Sequence, residues 1–325
     1  MINSVRNTVL SVLNKNNYGY ISPSDFNLYA KQAQMEMFEE YFSNYNKTIN
    51  FENQRGAGTD YASIEKPIAE VLETFLEYDF LWNVILPSGA YTSQFFAPSI
   101  TTTGNNSYMI SRIVYYNTKK LYGANSSVSP FQLIDSSAQF ITQGISVGDI
   151  VVNNDNHLSA TVLQINSETD MFLTEDIFTS TPLIYGIFSP NDKSEAERVT
   201  DGKIMALNMS PLTTPSEMFP AYTLNDVYLN TYPPTNIVFG YGAVAASYFR
   251  YPKEPKWTYI TLLNGEPAFD QTQPDYQDFE LPLEDEYKLA MKILQYCGIS
   301  IREYQVTQFA MGQEQHEQPT FSQQQ

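Results

Sequence analysis

Residues 245–310 decide the fold, and they read AASYFRYPKEPKW (245–257), TYITLLNGEPAFDQTQPDYQDF (258–279) and ELPLEDEYKLAMKILQYCGISIREYQVTQFA (280–310). The first part predicts a strand that ends at a Pro- and Lys-containing segment with a Trp. An acidic loop follows, and a Leu-Pro start leads into one amphipathic helix, predicted over residues 281–304. None of these parts is typical of a catalytic motif. The stretch instead predicts a helix that closes a core.

The predicted C-terminal helix has an acidic first turn and one apolar stripe. The positive end of the helix dipole favours anions in the first turn, where the acidic residues are Glu284, Asp285 and Glu286. Gly298 is expected to end or to kink the helix. The stripe consists of Leu283, Tyr287, Ala290, Met291, Leu294 and Cys297.

The N-terminal end is also predicted to be helical. Residues 1–13 place valines at helical spacing, and Ser22-Pro23 starts a second helix because Ser caps it and Pro suits its first position. A third helix is predicted over residues 64–80, before the Pro87-Ser88-Gly89 breaker. Its solvated acidic face is expected to carry Glu65, Glu70, Glu73 and Glu77.

Between residues 90 and 257 the pattern changes to strands separated by turns. Residues 131–178 contain short strands about every ten residues, which predicts a small SH3-like barrel. Its interior is expected to come from Val147, Ile150, Val152, Val162 and Ile165. Strands are predicted at 92–96, 108–116, 150–152, 161–165, 171–174, 183–188, 203–209, 236–239 and 243–250.

These elements predict an α+β fold, with a helical core built from N- and C-terminal helices and a large β-rich insertion that includes the SH3-like barrel. The predicted domains are a helical core at 1–89, a β segment at 90–130, the barrel at 131–179, a β-rich segment with a Pro/Lys clamp at 180–262, the C-terminal core helix at 263–310 and a docking tail at 311–325.

The composition limits the classes of function. The 325 residues include 36 acidic and 18 basic side chains, for a net charge of −18. A general nucleic-acid binder needs a basic surface that replaces phosphate counterions, so the charge argues against that class. No apolar run is long enough to span a membrane, so no membrane partner is expected. The single cysteine, Cys297, permits no disulfide within the chain, so stability must come from packing or assembly.

Motifs for cofactors and catalysis are weak. Residues 240–245 match G-x-G-x-x-A, but the helix and acidic residue that a dinucleotide site requires do not follow, so a glycine-relieved strand bend is favoured. His157, His316 and Cys297 do not have metal-cluster spacing. The acidic groups at 270–278 and 284–286 could ligate Ca²⁺, although the EF-hand pattern is absent. We therefore predict no catalytic residue, cofactor or metal, and no enzyme activity.

One compact basic and aromatic patch stands near the end of the predicted β region. It could contact nucleic acid, or it could clamp onto the acidic face of a neighbouring subunit. The second interpretation is favoured because the rest of the chain is so acidic. The tail adds one apolar anchor among glutamines, so the candidate subunit-interface residues are Arg250, Lys253, Lys256, Trp257 and Phe321.

Three segments carry a resemblance to a known family: INSVRNTVLSVLNKNNYGYISPSDFNLYAKQAQMEMFEEYF (2–42), YFRYPKEPKW (248–257) and ELPLEDEYKLAMKILQYCGISIRE (280–303). They resemble the ring proteins, or head-to-tail connectors, of tailed bacteriophages and especially of crAss-like phages. The resemblance implies a virion protein that is assembled in the bacterial cytoplasm. It also implies a closed dodecameric ring that contacts the portal protein and other ring or tail proteins, and through which genomic DNA passes. The acidic residues are then candidates for the wall of the lumen.

Two other functions stay open on the residues alone. The Tyr and Asn content is compatible with a surface-exposed β-rich binding module of carbohydrate-binding or adhesin type, although the helices at both ends argue against it. A hydrolase that uses paired carboxylates is the third possibility, but no pair stands out. Imaging of the host particle distinguishes the three functions, because only the first requires a ring.

Overall fold

The computed structural model describes residues 1–14, 21–55, 65–85, 91–116, 119–156, 158–233, 244–263 and 265–301. The fold is α+β and rich in strands. The chain divides into a helical unit, Met1–Phe75 with Pro252–Gln325, and a β unit, Leu76–Tyr251. Along the chain, the β unit is therefore inserted between the two halves of the helical unit.

The first three helices begin close to where the sequence signals place them. Ser22 caps the long second helix, because its Oγ accepts a hydrogen bond from the Asp25 amide at 3.1 Å, which confirms the predicted start. The helices are α1 (Ile2–Asn14), α2 (Pro23–Arg55), α3 (Glu65–Glu73), α4 (Asp201–Asn208) and α5 (Glu286–Ile301).

The strands of the β unit form two sheets, and a hairpin in the helical unit adds two more strands. Those up to residue 134 are β1 (Leu76–Phe80), β2 (Asn83–Ile85), β3 (Tyr91–Phe96), β4 (Ser107–Tyr116), β5 (Lys119–Ala124), β6 (Ser127–Ser129) and β7 (Gln132–Ile134). The next are β8 (Ile150–Asn153), β9 (Ser159–Ile165), β10 (Asp170–Leu173), β11 (Ile184–Phe188) and β12 (Lys193–Arg198). The last are β13 (Ala221–Asn225), β14 (Tyr228–Tyr232), β15 (Val244–Arg250), β16 (Tyr259–Thr261) and β17 (Pro267–Phe269).

The first sheet has eight strands in the order β1-β15-β4-β12-β13-β14-β3-β2. Its two outer strands are consecutive in the chain. The Leu81 amide donates to Val244 at 2.9 Å, while Trp82 accepts from the Phe96 amide at 2.7 Å. The bend between β1 and β2 therefore bonds to β15 on one side and to β3 on the other, and the sheet curls until its edges meet.

The second sheet has seven strands in the order β5-β11-β8-β9-β10-β7-β6 and curls in the same way. The Asn125 amide donates to Leu183 at 3.1 Å and the next amide, Ser126, donates to Ile134 at 2.8 Å. The switch from one edge to the other thus occurs between two residues. A single apolar core fills this sheet, with Leu133, Phe140, Val162, Met171 and Tyr185 among its members.

The interior of this second sheet differs from the prediction. Val162 lies in the core and Ile165 packs against it, as expected. Val147 is exposed, because it sits in a turn before β8. Val152 is buried in a different cluster, which Ile150 packs against. Strand β8 alternates its side chains between two cores, so one predicted set of interior residues divides into two.

The third predicted helix is shorter than expected. α3 ends at Glu73, and the sequence LEYDF forms β1, which pairs antiparallel with β15 from Leu76↔Phe249 to Phe80↔Ala245. The prediction of a helix up to residue 80 is therefore wrong beyond Glu73. The sequence alternates with a period of two residues from residue 76 onward, and the neighbouring strand β15 supplies the hydrogen-bond partners of the β1 backbone.

The predicted strand at 203–209 is also wrong, because these residues lie in and just after α4. Thr200 caps α4 by accepting from the Lys203 amide at 3.3 Å, and a cap of this kind favours a helix over a strand. Gly298 does not end α5, which continues to Ile301. The predicted strand at 236–239 lies outside the described residues.

Helix α5 buries the later part of the predicted stripe but not its beginning. Ala290, Leu294 and Cys297 are buried, which confirms that part, whereas Leu283 and Tyr287 are exposed. Leu289 and Ile293, which lie outside the predicted stripe, are also fully buried. The helix begins three residues later than the first of the predicted stripe positions, after a single 3-10 turn over Leu283–Asp285. That turn shifts the first part of the stripe toward solvent.

Candidate interaction surfaces

Trp257 is a core residue of the helical unit, and this corrects its prediction as a subunit contact. Its side chain is 2% exposed. Arg6 lies over its ring at 3.7 Å from the centroid, and the indole N–H donates to Asn3 Oδ1 at 3.1 Å. Asn27 of α2 makes two hydrogen bonds to the Trp257 backbone. A large aromatic side chain with a satisfied N–H is as suitable for a core as for an interface, so the sequence does not separate the two.

The backbone around Trp257 is held by α2 rather than by a neighbour. Gln34 is buried and donates through Nε2 to the Lys253 carbonyl at 2.8 Å, while its Oε1 accepts from the Glu280 amide at 3.1 Å. Lys31 forms an ion pair with Glu254. The predicted clamp therefore engages a helix of its own chain.

The charged members of the predicted patch have different surroundings. Lys253 and Lys256 are exposed residues of the helical unit, and Lys256 forms an ion pair with Asp275. Arg250 belongs to the β unit, is largely buried, and donates through Nε to Glu77 Oε1 at 3.1 Å. Of the proposed contact residues, only Lys253 and Lys256 are thus exposed; Phe321 lies outside the described residues.

The acidic residues proposed for a lumen wall are not all exposed to solvent. Asp285 is only 5% exposed and accepts a hydrogen bond from the Tyr41 hydroxyl, so its assignment to a solvated face is wrong. Burial and the Asp285 carboxylate raise the pKa of Tyr41 above its ordinary value. Glu284 is exposed and Glu286 is half-buried. The side chain in the middle of the acidic triplet turns inward because the hydroxyl of Tyr41 supplies its partner.

The remaining acidic candidates also divide. Glu70 and Glu73 are exposed on α3, as a solvated helix face requires. Glu77 is on β1, where the ion pair with Arg250 occupies one of its oxygens. Glu65 begins α3, and its side chain lies outside the described part of the chain.

The acidic loop before α5 has structural partners. Asp278 Oδ1 accepts from the Ile2 amide at 2.7 Å, and Oδ2 accepts from the N-terminal ammonium at 2.9 Å, so this carboxylate caps α1 from the opposite end of the chain. Asp270 caps the turn that contains Thr272. In the described residues, no group of three or more His, Cys, Asp or Glu side chains is arranged to hold a metal ion.

A surface that the sequence analysis missed lies in residues 200–220, here called the arm. The arm connects β12 to β13, which pair in parallel with Glu197 opposite Ala221. Two parallel neighbours need a crossover connection, and α4 supplies it. Ile204 anchors the arm in a small cluster with Val199 and Ala221.

The rest of the arm exposes large apolar side chains. Leu212 is 96% exposed and Met209 is 87% exposed. The others are Met205, Met218 and Phe219, each more than two thirds exposed. Singly exposed apolar side chains are ordinary on a protein surface, but five large ones within 15 residues make the arm a candidate interaction site.

The second missed surface is the hairpin, residues 258–270, which contains β16 and β17. Its turn is closed by hydrogen bonds from the Leu262 amide to Glu266 at 2.9 Å and from the Gly265 amide to Leu262 at 2.8 Å. Gly265 has φ +84°, which glycine adopts without strain. The exposed apolar side chains are Tyr259, Ile260, Leu262 and Leu263.

Both surfaces have a signal in the sequence. Residues 204–216 and residues 257–265 contain no charged side chain, in a chain of net charge −18. Met205, Met209 and Leu212 have the spacing of one helical face. This pattern could have identified the arm, but the same run was assigned to a strand.

Comparisons with known proteins add no relative. No protein-family model matches the chain, and no curated protein sequence matches it. Among the described helices, none combines the length and the apolarity that crossing a bilayer requires. The arm and the hairpin are therefore the surfaces on which a function can be argued.

Proposed function

We propose that this chain is a virion structural protein, a subunit of a ring at the head-to-tail junction of a tailed bacteriophage. Its partners are further copies of itself, the portal protein and other ring or tail proteins, and genomic DNA passes through the ring. The closed dodecameric state follows from the resemblance of residues 2–42, 248–257 and 280–303 to connector proteins of crAss-like phages.

The observation that carries the proposal is the exposed apolar surface of the arm, in which one charged residue, Glu217, separates Met218 and Phe219 from an uncharged run. Five large apolar side chains face solvent within 15 residues, 205–219. Residues 204–216 carry no charge although the chain as a whole has a net charge of −18. Subunits of a ring must bring like-charged surfaces together, and an uncharged apolar patch is where that contact costs least.

The finer architecture belongs to the same proposal. In this proposal the helices α1, α2, α3 and α5 belong to the core of each subunit, and the SH3-like barrel predicted at residues 131–179 reaches neighbouring rings. The exposed acidic side chains, including Glu70, Glu73 and Glu284, line the lumen and repel DNA, so that DNA slides without adhering.

The test is the copy number of the protein in purified phage particles. Quantitative mass spectrometry, calibrated on the major capsid protein, should give several copies in each particle, and electron microscopy should locate them at the head-to-tail junction. A control protein of the infected cell should be depleted from the same particles. A single copy in each particle, or a protein found only in the cell lysate, would contradict the proposal.

A further inference from the structure

We infer that the hairpin of one copy docks on the arm of a second copy, so that the chain assembles head to tail through two different surfaces of its own. The inference deepens the proposed function and rests on it in one respect, since a ring is the closed product of such a contact. The geometry commits to a second copy as the occupant of the arm, for reasons of area, charge and shape.

The exposed apolar area matches what a stable contact needs. A fully exposed Met, Leu, Ile or Phe side chain offers about 60–120 Å² of apolar surface. Weighted by their exposed fractions, the five arm side chains and the four hairpin side chains together offer about 390–790 Å², and the arm alone offers about 240–490 Å². An interface at the lower end of the specific range buries about 1,200 Å², of which roughly 680 Å² is non-polar. The two surfaces together reach that non-polar share, and either surface alone does not.

Charge favours a partner that is itself acidic. Two copies that each carry a net charge of −18 repel one another over most of their surfaces. The repulsion is weakest where neither surface is charged. Residues 204–216 of the arm and residues 257–265 of the hairpin satisfy this condition. A basic partner would instead be recognised by acidic side chains, which these two runs lack.

The hairpin has the form of a knob on a firm base. Trp257 stacks on Tyr259 and Phe269 at centroid distances of 5.6 and 5.9 Å. Its indole is held by Asn3 and Arg6. Leu263 at the turn is fully exposed. An isolated two-stranded hairpin is marginally stable, so this fixed base keeps the apolar tip in place before docking.

The arm has the form of a receiving surface. Three of its five exposed apolar residues are methionines, whose unbranched side chains adapt their shape to a partner. The arm is held by its buried Ile204 and by the cap at Thr200. Two narrow tips cannot bury one another, whereas a tip can enter an adaptable surface. Contact between unlike surfaces is heterologous, and a heterologous contact gives a ring where the rotation between copies closes and an open filament where it does not.

The experiment uses the full chain with one charged substitution on each surface, Leu263→Asp on the hairpin and Met209→Asp on the arm. Neither position is packed, because Leu263 is fully exposed and Met209 is 87% exposed, so both variants should fold, and far-ultraviolet circular dichroism verifies this. Light scattering coupled to size exclusion measures the mass over a dilution series. A matched control is Val147→Asp, at an exposed apolar position in a turn of the β unit.

The wild-type chain and the control should give masses above that of the 37.0 kDa monomer, and each single variant should lose that association. A mixture of the two variants should give a species of twice 37.0 kDa and nothing larger, because only one intact hairpin and one intact arm remain to pair. A monomeric wild type, an association that survives either substitution, or a mixture that stays monomeric overturns the inference.

The outcomes separate this inference from the proposed function. A chain that associates head to tail and is absent from phage particles retains the inference and refutes the function. Particles that contain many copies and assemble normally with Leu263→Asp retain the function and refute the inference.

Discussion

Replacing Trp257 tests whether this residue belongs to the core or to a subunit interface. The Trp257→Ala change removes a side chain that is 2% exposed. Large-to-small changes of buried aromatic residues cost about 3–5 kcal/mol. This cost includes the loss of the cation–π contact with Arg6, because the indole ring that makes the contact is the group removed. Trp257→Phe keeps a ring but loses the hydrogen bond to Asn3, and it should cost about 1–2 kcal/mol.

The assay is urea unfolding followed by circular dichroism, which does not depend on the substituted fluorophore. The free energy of unfolding should fall in the order wild type, Trp257→Phe, Trp257→Ala. The control is Lys253→Ala, because Lys253 is exposed and lies four residues before Trp257. It should change the free energy of unfolding by less than about 0.5 kcal/mol. A Trp257→Ala variant of wild-type stability that had lost self-association would refute the core assignment and restore the interface prediction.

Three further changes probe polar contacts and the packing beside them. Tyr185→Phe removes the hydroxyl that donates to the buried Asp135 at 2.7 Å and should lower the free energy of unfolding by about 1.5–3 kcal/mol; an unchanged urea midpoint would contradict this. Gly123→Ala should cost about 1–3 kcal/mol by overpacking, because a Cβ there would lie 2.6 Å from that carboxylate and from the same hydroxyl; thermal unfolding measures it, and no shift in midpoint would count against it. Burial raises the pKa of Asp278, but hydrogen bonds from the N-terminal ammonium and two amides outweigh it and leave the pKa lowered. A carboxyl whose pKa is lowered by folding stabilises the protein at pH values above its ordinary pKa of 3.8, and this stability is lost as the pH falls through the folded-state pKa. Asp278→Asn should therefore remove this loss of stability at acid pH, as measured by the free energy of unfolding over a pH series. The same pH dependence in the variant and the wild type would argue against this role of Asp278.

Local signals predicted much of the secondary structure. The Ser22-Pro23 start of α2 depends on one side chain and its own backbone, and the structure has it where the sequence places it. Strand β4 depends on a run of alternating and β-branched residues and also agrees within one residue. Such elements are predictable because the interactions that decide them lie within a few residues along the chain.

Other features depend on partners that are distant in the sequence. β1 forms because β15, about 170 residues away, satisfies its backbone. Asp285 turns inward because Tyr41 meets it with a hydroxyl. Trp257 is buried because Asn3 and Arg6 lie beside it. Composition and periodicity carry no information on these pairings, and the acidic face and the basic patch were predicted from composition.

The closure of the two large sheets explains why association should depend on side chains. In each sheet the first and last strands meet within one bent stretch of chain, so the described strands of these sheets leave no long unpaired edge for a partner to extend. The arm arises from the one parallel pair in the first sheet, β12 with β13, whose crossover must leave the sheet and return. A crossover that packed fully on its own sheet would bury Met209 and Leu212, yet both are almost fully exposed. Burial of Met209 and Leu212 therefore requires a surface from outside the β unit's own sheets. One charge at Met209 should weaken association more than a charge at any exposed strand position.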